Sequence, residues 1–200
     1  KGFGDKYFEE NVTESVAHSW YDGAWEKHPY KESTEPNFTG FDPNGKYSWV
    51  KSPRFGGKRM QVGPAAQVLS SYMLQDPLTI KYAGLFLKTV NALGAATNVG
   101  SAATLDLAGL VDALPSTIGR HGARVIRAAA ILDMALTNWN MLVDNIGKGD
   151  KTSCNPPVYP KGEIQGFGIH EAPRGVLSHW IVIENGRIKN YQAVVPSTWN

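Results

Sequence analysis

Between Ser116 and Ile146 one apolar pattern runs long enough to constrain the rest of the fold. Val125, Ala129, Leu132, Leu136, Trp139, Val143 and Ile146 recur at steps of 4, 3, 4, 3, 4 and 3. Residues so spaced share one helical face, so the pattern predicts a helix over 116–146, roughly 45 Å long at about 1.5 Å per residue. Ser116 is the expected N-cap, and Gly147 and Gly149 the expected end. Ile126, Ala130 and Met134 widen the stripe, which predicts burial on more than one side.

Shorter helices precede it. Pro64 suits a first helical turn, where its missing N–H costs nothing, and Asp76-Pro77 should stop that helix. "LTIKYAGLFLKTVNALG" predicts a second helix closed by Gly94. "SAATLDLAGLVDAL" predicts a third, from Ser101 to the residue before Pro115. Residues 1–63 read otherwise: "HPY", "EPN", "DPNG" and "SPRFGG" are turn signals, and the aromatic-rich segment is expected to wrap over a larger surface with short strands.

After the loop-like "GDKTSCNPPVYPKGE" the period changes from 3.6 to 2. "SHWIVIENGRIKNYQAVV" predicts a β-hairpin around Asn185-Gly186, the dipeptide suited to a type I′ turn. The expected class is therefore α+β, mainly helical: a long-helix bundle over 64–149, a loop-rich segment over 1–63, and a loop plus β-hairpin over 150–200. These are read as one domain that is part of a larger subunit, in a mature or partial chain.

Composition closes off several functions. Charged residues make up 19% of the chain and the formal charge is +2, with no basic run, so nucleic acid is not an expected partner. One cysteine, Cys154, excludes an internal disulfide framework and a multi-cysteine metal site within this chain. The five histidines (His18, His28, His121, His170 and His179) fall at no metal-ligand spacing. No apolar run is long enough to span a bilayer.

The candidate site is "GIHEAPRGVLSHW". Pro173 fixes its own φ and restricts Ala172, while Gly175 lets another group approach the backbone closely. Arg174 between them is a permanent cation with five donors, suited to holding an anion and a poor proton acceptor. A structural salt bridge at a strand start is the competing reading.

The stretch "EAPRGVLSHWIVIENGRIKNYQAVVPSTWN" resembles, almost residue for residue, the C-terminal part of the large subunit of nickel–iron hydrogenases. "SWY", "HPY", "YSWVKSPRF", "GKRMQVGPAAQ" and "STIGRHGAR" resemble further blocks of that family in order. The resemblance implies reversible splitting of H2 into protons and electrons at a Ni–Fe centre whose iron carries cyanide and carbon monoxide. It implies that Pro173 and Arg174 line the pocket around those ligands, with Arg174 catalytic. Val195 and Ser197 would lie beside the cyanides, the serine hydroxyl donating to one. The carbonyl of Ala193 would help coordinate a separate magnesium or iron ion, and alanine there is also reminiscent of the selenocysteine-containing branch. Implied partners are the rest of the large subunit, an iron–sulfur small subunit and a redox partner such as a cytochrome. The implied compartment is the periplasm, with membrane association.

There are departures from the family pattern. Its two Cys-x-x-Cys pairs are absent, as is its N-terminal proton-transferring carboxylate, so the chain is expected to supply no nickel or iron ligand and to be inactive alone. Cys154 is expected to be a partly buried loop residue. Gln61 and Gln67 stand where the family often has Glu and Arg. His170 and His179 could relay protons but read more readily as structural donors. Glu171 reads as a hydrogen-bond acceptor or a partner for an arginine. Arg120, His121 and Arg124 read as helix contacts. Two alternatives stay open: a metal-free quinone-binding relative of respiratory NADH dehydrogenases, and a non-catalytic helical scaffold. The scaffold requires Arg174 to pair with a carboxylate of this chain.

Overall fold

A computed structural model describes residues 6–31, 33–97, 106–159 and 161–199. The chain divides into two compact units, one of Lys1–Gly63 with Pro157–Asn200 and one of Pro64–Pro156. Each is described by itself.

The second unit is helical. α2 (Pro64–Met73) starts on Pro64, as expected. α2 ends at Met73, three residues before Asp76, and Asp76 starts α3 (Pro77–Thr97), because its carboxylate accepts the Thr79 N–H at 2.7 Å. Hydrogen bonding by the Thr79 side chain, and then by this backbone N–H, holds the Asp76 carboxyl below its ordinary value. α3 runs through Gly94 rather than stopping there; a glycine inside a helix costs about 1 kcal/mol, which neighbouring packing can offset. α4 (Leu107–Ala113) is capped by Asp106. The start expected at Ser101 lies outside the described residues.

α5 (Thr117–Gly147) is the long helix, capped by Ser116, whose hydroxyl accepts the Gly119 N–H at 3.0 Å. Its buried residues are Gly119, Gly122, Ala123, Ile126 and Ala130, all in its first half. Of these, Ala123 and Ile126 join Ala65, Val68, Ala83, Leu110 and Leu114 in one core cluster. The two glycines allow close approach. A Cβ on Gly119 would overlap the Ala113 carbonyl, and one on Gly122 would sit 2.8 Å from the Phe86 ring. The expected stripe from Val125 to Ile146 is not the face buried here; Val125, Leu132, Leu136, Trp139, Val143 and Ile146 are all half or more exposed.

The first unit holds two antiparallel three-stranded sheets. α1 (Lys6–Asn11) leads into β1 (Val12–Ser15), which pairs with β2 (Glu26–Lys27) and β3 (Ser52–Phe55). The C-terminal element is larger than the hairpin expected. β4 (Glu163–Ala172), β5 (Gly175–Glu184) and β6 (Arg187–Val194) form one sheet in that order. β4 escapes periodicity because Gly166 and Gly168 interrupt it and none of its residues is buried; it is a strand through its ladder to β5. The β5–β6 turn is as read: Asn185 and Gly186 have φ of 50° and 77°, both positive as type I′ requires. Trp180, wholly buried, centres the core with Val12, Tyr30, Val182, Val194 and Trp199.

Candidate functional site

Pro173 and Arg174 are the two central residues of the turn joining β4 to β5, closed by the Ala172–Gly175 pair. Gly175 has φ of 127°, and a Cβ there would overlap the backbone carbonyl of Val62. The close approach expected at this glycine is therefore made by the Val62–Gly63 segment, which passes beneath the turn; a Cβ on Gly63 would lie 3.7 Å from the Arg174 carbonyl oxygen. These contacts pin the backbone of Arg174. Its side chain is exposed, and among the described residues no carboxylate pairs with it. Among the described residues, the salt bridge that a purely structural scaffold would require is not made.

Ser197 reaches the same end of the sheet from another direction. β6 runs antiparallel to β5 and finishes with Val194 opposite Ser178. That is three residues from Gly175, or about 10 Å along the strand. The chain then continues as Val195 and α6 (Pro196–Trp199). Pro196 and Trp199 are buried, and the Thr198 hydroxyl donates to the Val195 carbonyl at 2.7 Å, which fixes this last turn. Val195 and Ser197, on either side of Pro196, are exposed. The sheet thus brings Pro173, Arg174, Val195 and Ser197 to one end.

Ala193 stands one residue before that end, paired across the ladder with His179. The His179 ring is hydrogen-bonded to the Tyr191 hydroxyl, and both His170 and His179 are exposed. On α5, Arg120 Nε donates to the Pro115 carbonyl at 3.1 Å, and Arg124 meets the His121 ring at 3.3 Å.

One group was not legible in the sequence. The Lys51 ammonium pairs with the Glu14 carboxylate and donates at 2.9 Å to the side-chain oxygen of Gln192, the residue before Ala193. Glu14 and Gln192 are buried, and burial pushes the Glu14 carboxyl up while Lys51 draws it down. This network ties the end of β6 to β1 and to the strand-leading segment before β3. Lys51 stands 37 residues from Glu14 and 141 from Gln192, so no local pattern announces it.

Cys154 is exposed in a loop, not partly buried. Among the described residues no three of His, Cys, Asp and Glu gather as metal ligands. The side chains placed at the sheet end are a cation, a hydroxyl and two apolar groups. That set suits an anion or a polar ligand held from outside; it is not a set of metal ligands.

The sequence profile of nickel-dependent hydrogenases matches residues 5–200. The chain belongs to that family. It is 41% identical over 197 residues to the Hydrogenase-2 large chain of Escherichia coli (strain K12), a match covering 98% of this chain and 33% of that one. It is 36% identical over 210 residues to the Quinone-reactive Ni/Fe-hydrogenase large chain of Wolinella succinogenes, covering 96% and 34%. Among solved structures, a reduced, active form of the Ni-Fe-Se hydrogenase from Desulfomicrobium baculatum superposes with a TM-score of 0.64 at 26% identity, covering 96% of this chain and 35% of that one. The chain therefore spans about a third of the length of the relatives it matches.

Proposed function

We propose that this chain is a portion of the catalytic large subunit of a nickel–iron hydrogenase and supplies the groups that surround the metal centre rather than its ligands. The observation that carries the reading is the sheet end: a guanidinium at 174 with no carboxylate partner among the described residues and a hydroxyl at 197, both anchored through their neighbours and both left exposed. A Ni–Fe centre bearing cyanide and carbon monoxide, when bound, supplies the chemistry of reversible H2 oxidation. Its thiolate ligands come from outside these 200 residues, since the one thiol here is an exposed loop residue.

The chain's own groups act on charge and water. Arg174 holds a fixed positive charge against anionic ligands and against negative charge that develops during the reaction. Ser197 donates a hydrogen bond to the same anionic set. Pro173 and Val195 keep water from the carbonyl ligand. A guanidinium has too high a pKa to take a proton readily, which favours stabilisation over general-base work. The Ala193 carbonyl is the one backbone oxygen we assign toward a separate magnesium ion, whose remaining ligands must come from elsewhere. The expected partners are an iron–sulfur small subunit and a redox protein such as a cytochrome, in the periplasm.

Infrared spectra of the assembled enzyme test this. Cyanide and carbonyl stretches are expected, with band positions that move in Ser197→Ala. An assembly with no such bands would overturn the proposal.

A further inference from the structure

The loop layer before β3 is tightly hydrogen-bonded, yet it leaves large aromatic side chains in water. Its floor is Trp20, 8% exposed, whose indole N–H donates to the Gly40 carbonyl at 2.8 Å. The Trp20 carbonyl in turn accepts the Asn37 N–H at 2.8 Å, and the Tyr21 hydroxyl donates to the Trp49 carbonyl at 3.0 Å. These bonds tie together the chain around positions 20, 37 and 49. Phe38 and Trp49 rise from it within 25° of parallel, with ring centroids 6.2 Å apart. Each meets Trp20 edge to face, at 4.9 and 5.1 Å. Both rings stay open: Phe38 is 63% exposed, Trp49 47% and Phe41, next to Gly40, 73%. Rings held this way have little freedom left to lose, so a group that stacks on them is ordered at small entropic cost.

Carboxylates surround the rings. Asp22 follows Tyr21 and accepts from the side-chain amide of Asn37, the neighbour of Phe38, at 2.9 Å. Glu35 accepts from the Ser33 hydroxyl at 3.0 Å, and Asp42, next to Phe41, accepts the Asn44 N–H at 2.9 Å. All three are exposed, and among the described residues none meets a cation. The one lysine between positions 33 and 50, Lys46, turns its ammonium to the Tyr21 carbonyl instead. Open ring faces bordered by uncompensated negative charge suit cations, which are attracted by both.

We propose that this face is a docking surface for a further protein, outside the hydrogenase's own subunits, that presents arginine side chains beside apolar ones. Charge selects that occupant. A segment of the enzyme's own interior would bury three unpaired carboxylates, at heavy cost. An anionic lipid surface would be repelled by the same rim. A second copy would set that rim against itself. Arginine fits best, because its planar guanidinium stacks on rings while its donors pair with carboxylates.

The inference concerns the loop layer alone and is independent of any role for Arg174. Hydroxyl-radical footprinting of the assembled hydrogenase, read by mass spectrometry at Phe38 and Trp49, tests it with two peptides. Acetyl-Leu-Arg-Leu-Arg-Leu-amide carries the proposed chemistry, and acetyl-Leu-Glu-Leu-Glu-Leu-amide is its charge-reversed control. Without peptide, both rings should be labelled. The arginine peptide should lower that labelling, and the effect should vanish at about 1 M salt, where charges beyond about 3 Å are screened. By fluorescence anisotropy, affinity for the arginine peptide should fall about two- to fivefold in Trp49→Leu, the size of one exposed cation–π contact. It should also fall in the Glu35→Gln, Asp42→Asn double variant. The footprint uses the unmodified protein, so a variant that fails to assemble leaves the test standing. Equal protection by the two peptides, or none by the arginine peptide, would overturn the proposal. So would rings already shielded without peptide, which places them under the hydrogenase's own subunits or a second copy. Protection by phosphatidylglycerol vesicles in place of the arginine peptide would assign the face to a membrane and refute it equally.

Discussion

The backbone carbonyl of Val62 occupies the space that a side chain on Gly175 would need. Two segments more than a hundred residues apart in sequence thus meet with no room for a methyl group, directly beside the turn that carries Arg174. The contact explains why glycine follows the arginine. It also makes the position of a charge depend on backbone packing rather than on an ion pair.

Gly175→Ala is expected to destabilise the protein by about 2 kcal/mol or more, because it adds both overlap with Val62 and strain at φ of 127°. Urea denaturation measures the loss. On the proposed function, activity should fall further than stability accounts for, since the turn must shift to relieve the overlap. A variant as stable as the parent removes the argument for the close approach.

Arg174→Lys retains the charge and loses the planar five-donor fork. On the proposed function, H2 turnover should fall by about a hundredfold with metal content unchanged, the size typical of a lost preorganised donor. Metal analysis beside H2 uptake separates this outcome from failed assembly. Turnover within a factor of about two of the parent would contradict electrostatic stabilisation.

The Glu14–Lys51 pair makes stability depend on pH. Burial raises the folded-state pKa of Glu14 above its ordinary 4.5. A raised folded-state value means that the contribution of this group is fully present below about pH 4.5 and is lost as pH rises through the folded value. Lys51 counters that loss by pairing with the carboxylate. In Lys51→Met the unpaired carboxylate should cost about 3 kcal/mol at neutral pH, and distinctly less as the pH is lowered and Glu14 takes up its proton. Chemical denaturation of the variant and parent at the two pH values gives the comparison, and a pH-independent difference would count against the pair.

Two helical glycines should respond in opposite directions. A Cβ on Gly84, inside α3, meets nothing within 4 Å, so Gly84→Ala should stabilise by about 0.5–1 kcal/mol through helix propensity. Gly119→Ala gains the same propensity but drives a methyl into the Ala113 backbone, and should be net destabilising. Thermal melts of the pair decide it. Equal shifts would mean that the α4–α5 corner is looser than its packing implies.

What could be read in advance was local. Ser116 caps α5 because a serine hydroxyl can reach the N–H three residues on, whatever surrounds it. Asn185-Gly186 turns because those two residues accept positive φ at little cost. The helical period over 116–146 likewise needs only its own chain.

What the tertiary structure decided involves partners distant in sequence. β4 becomes a strand because β5 offers it a ladder, against two glycines that argue for loop. Pro173 and Arg174 become a hairpin turn only once β4 exists, and Ser197 joins them only because β6 runs back toward that end of the sheet. Periodicity identified an apolar face on α5, yet that face is uncovered here while a second, glycine-rich face makes the core. An amino-acid pattern records which side chains avoid water. It does not record which neighbour excludes it, because that depends on surfaces brought together by the rest of the fold.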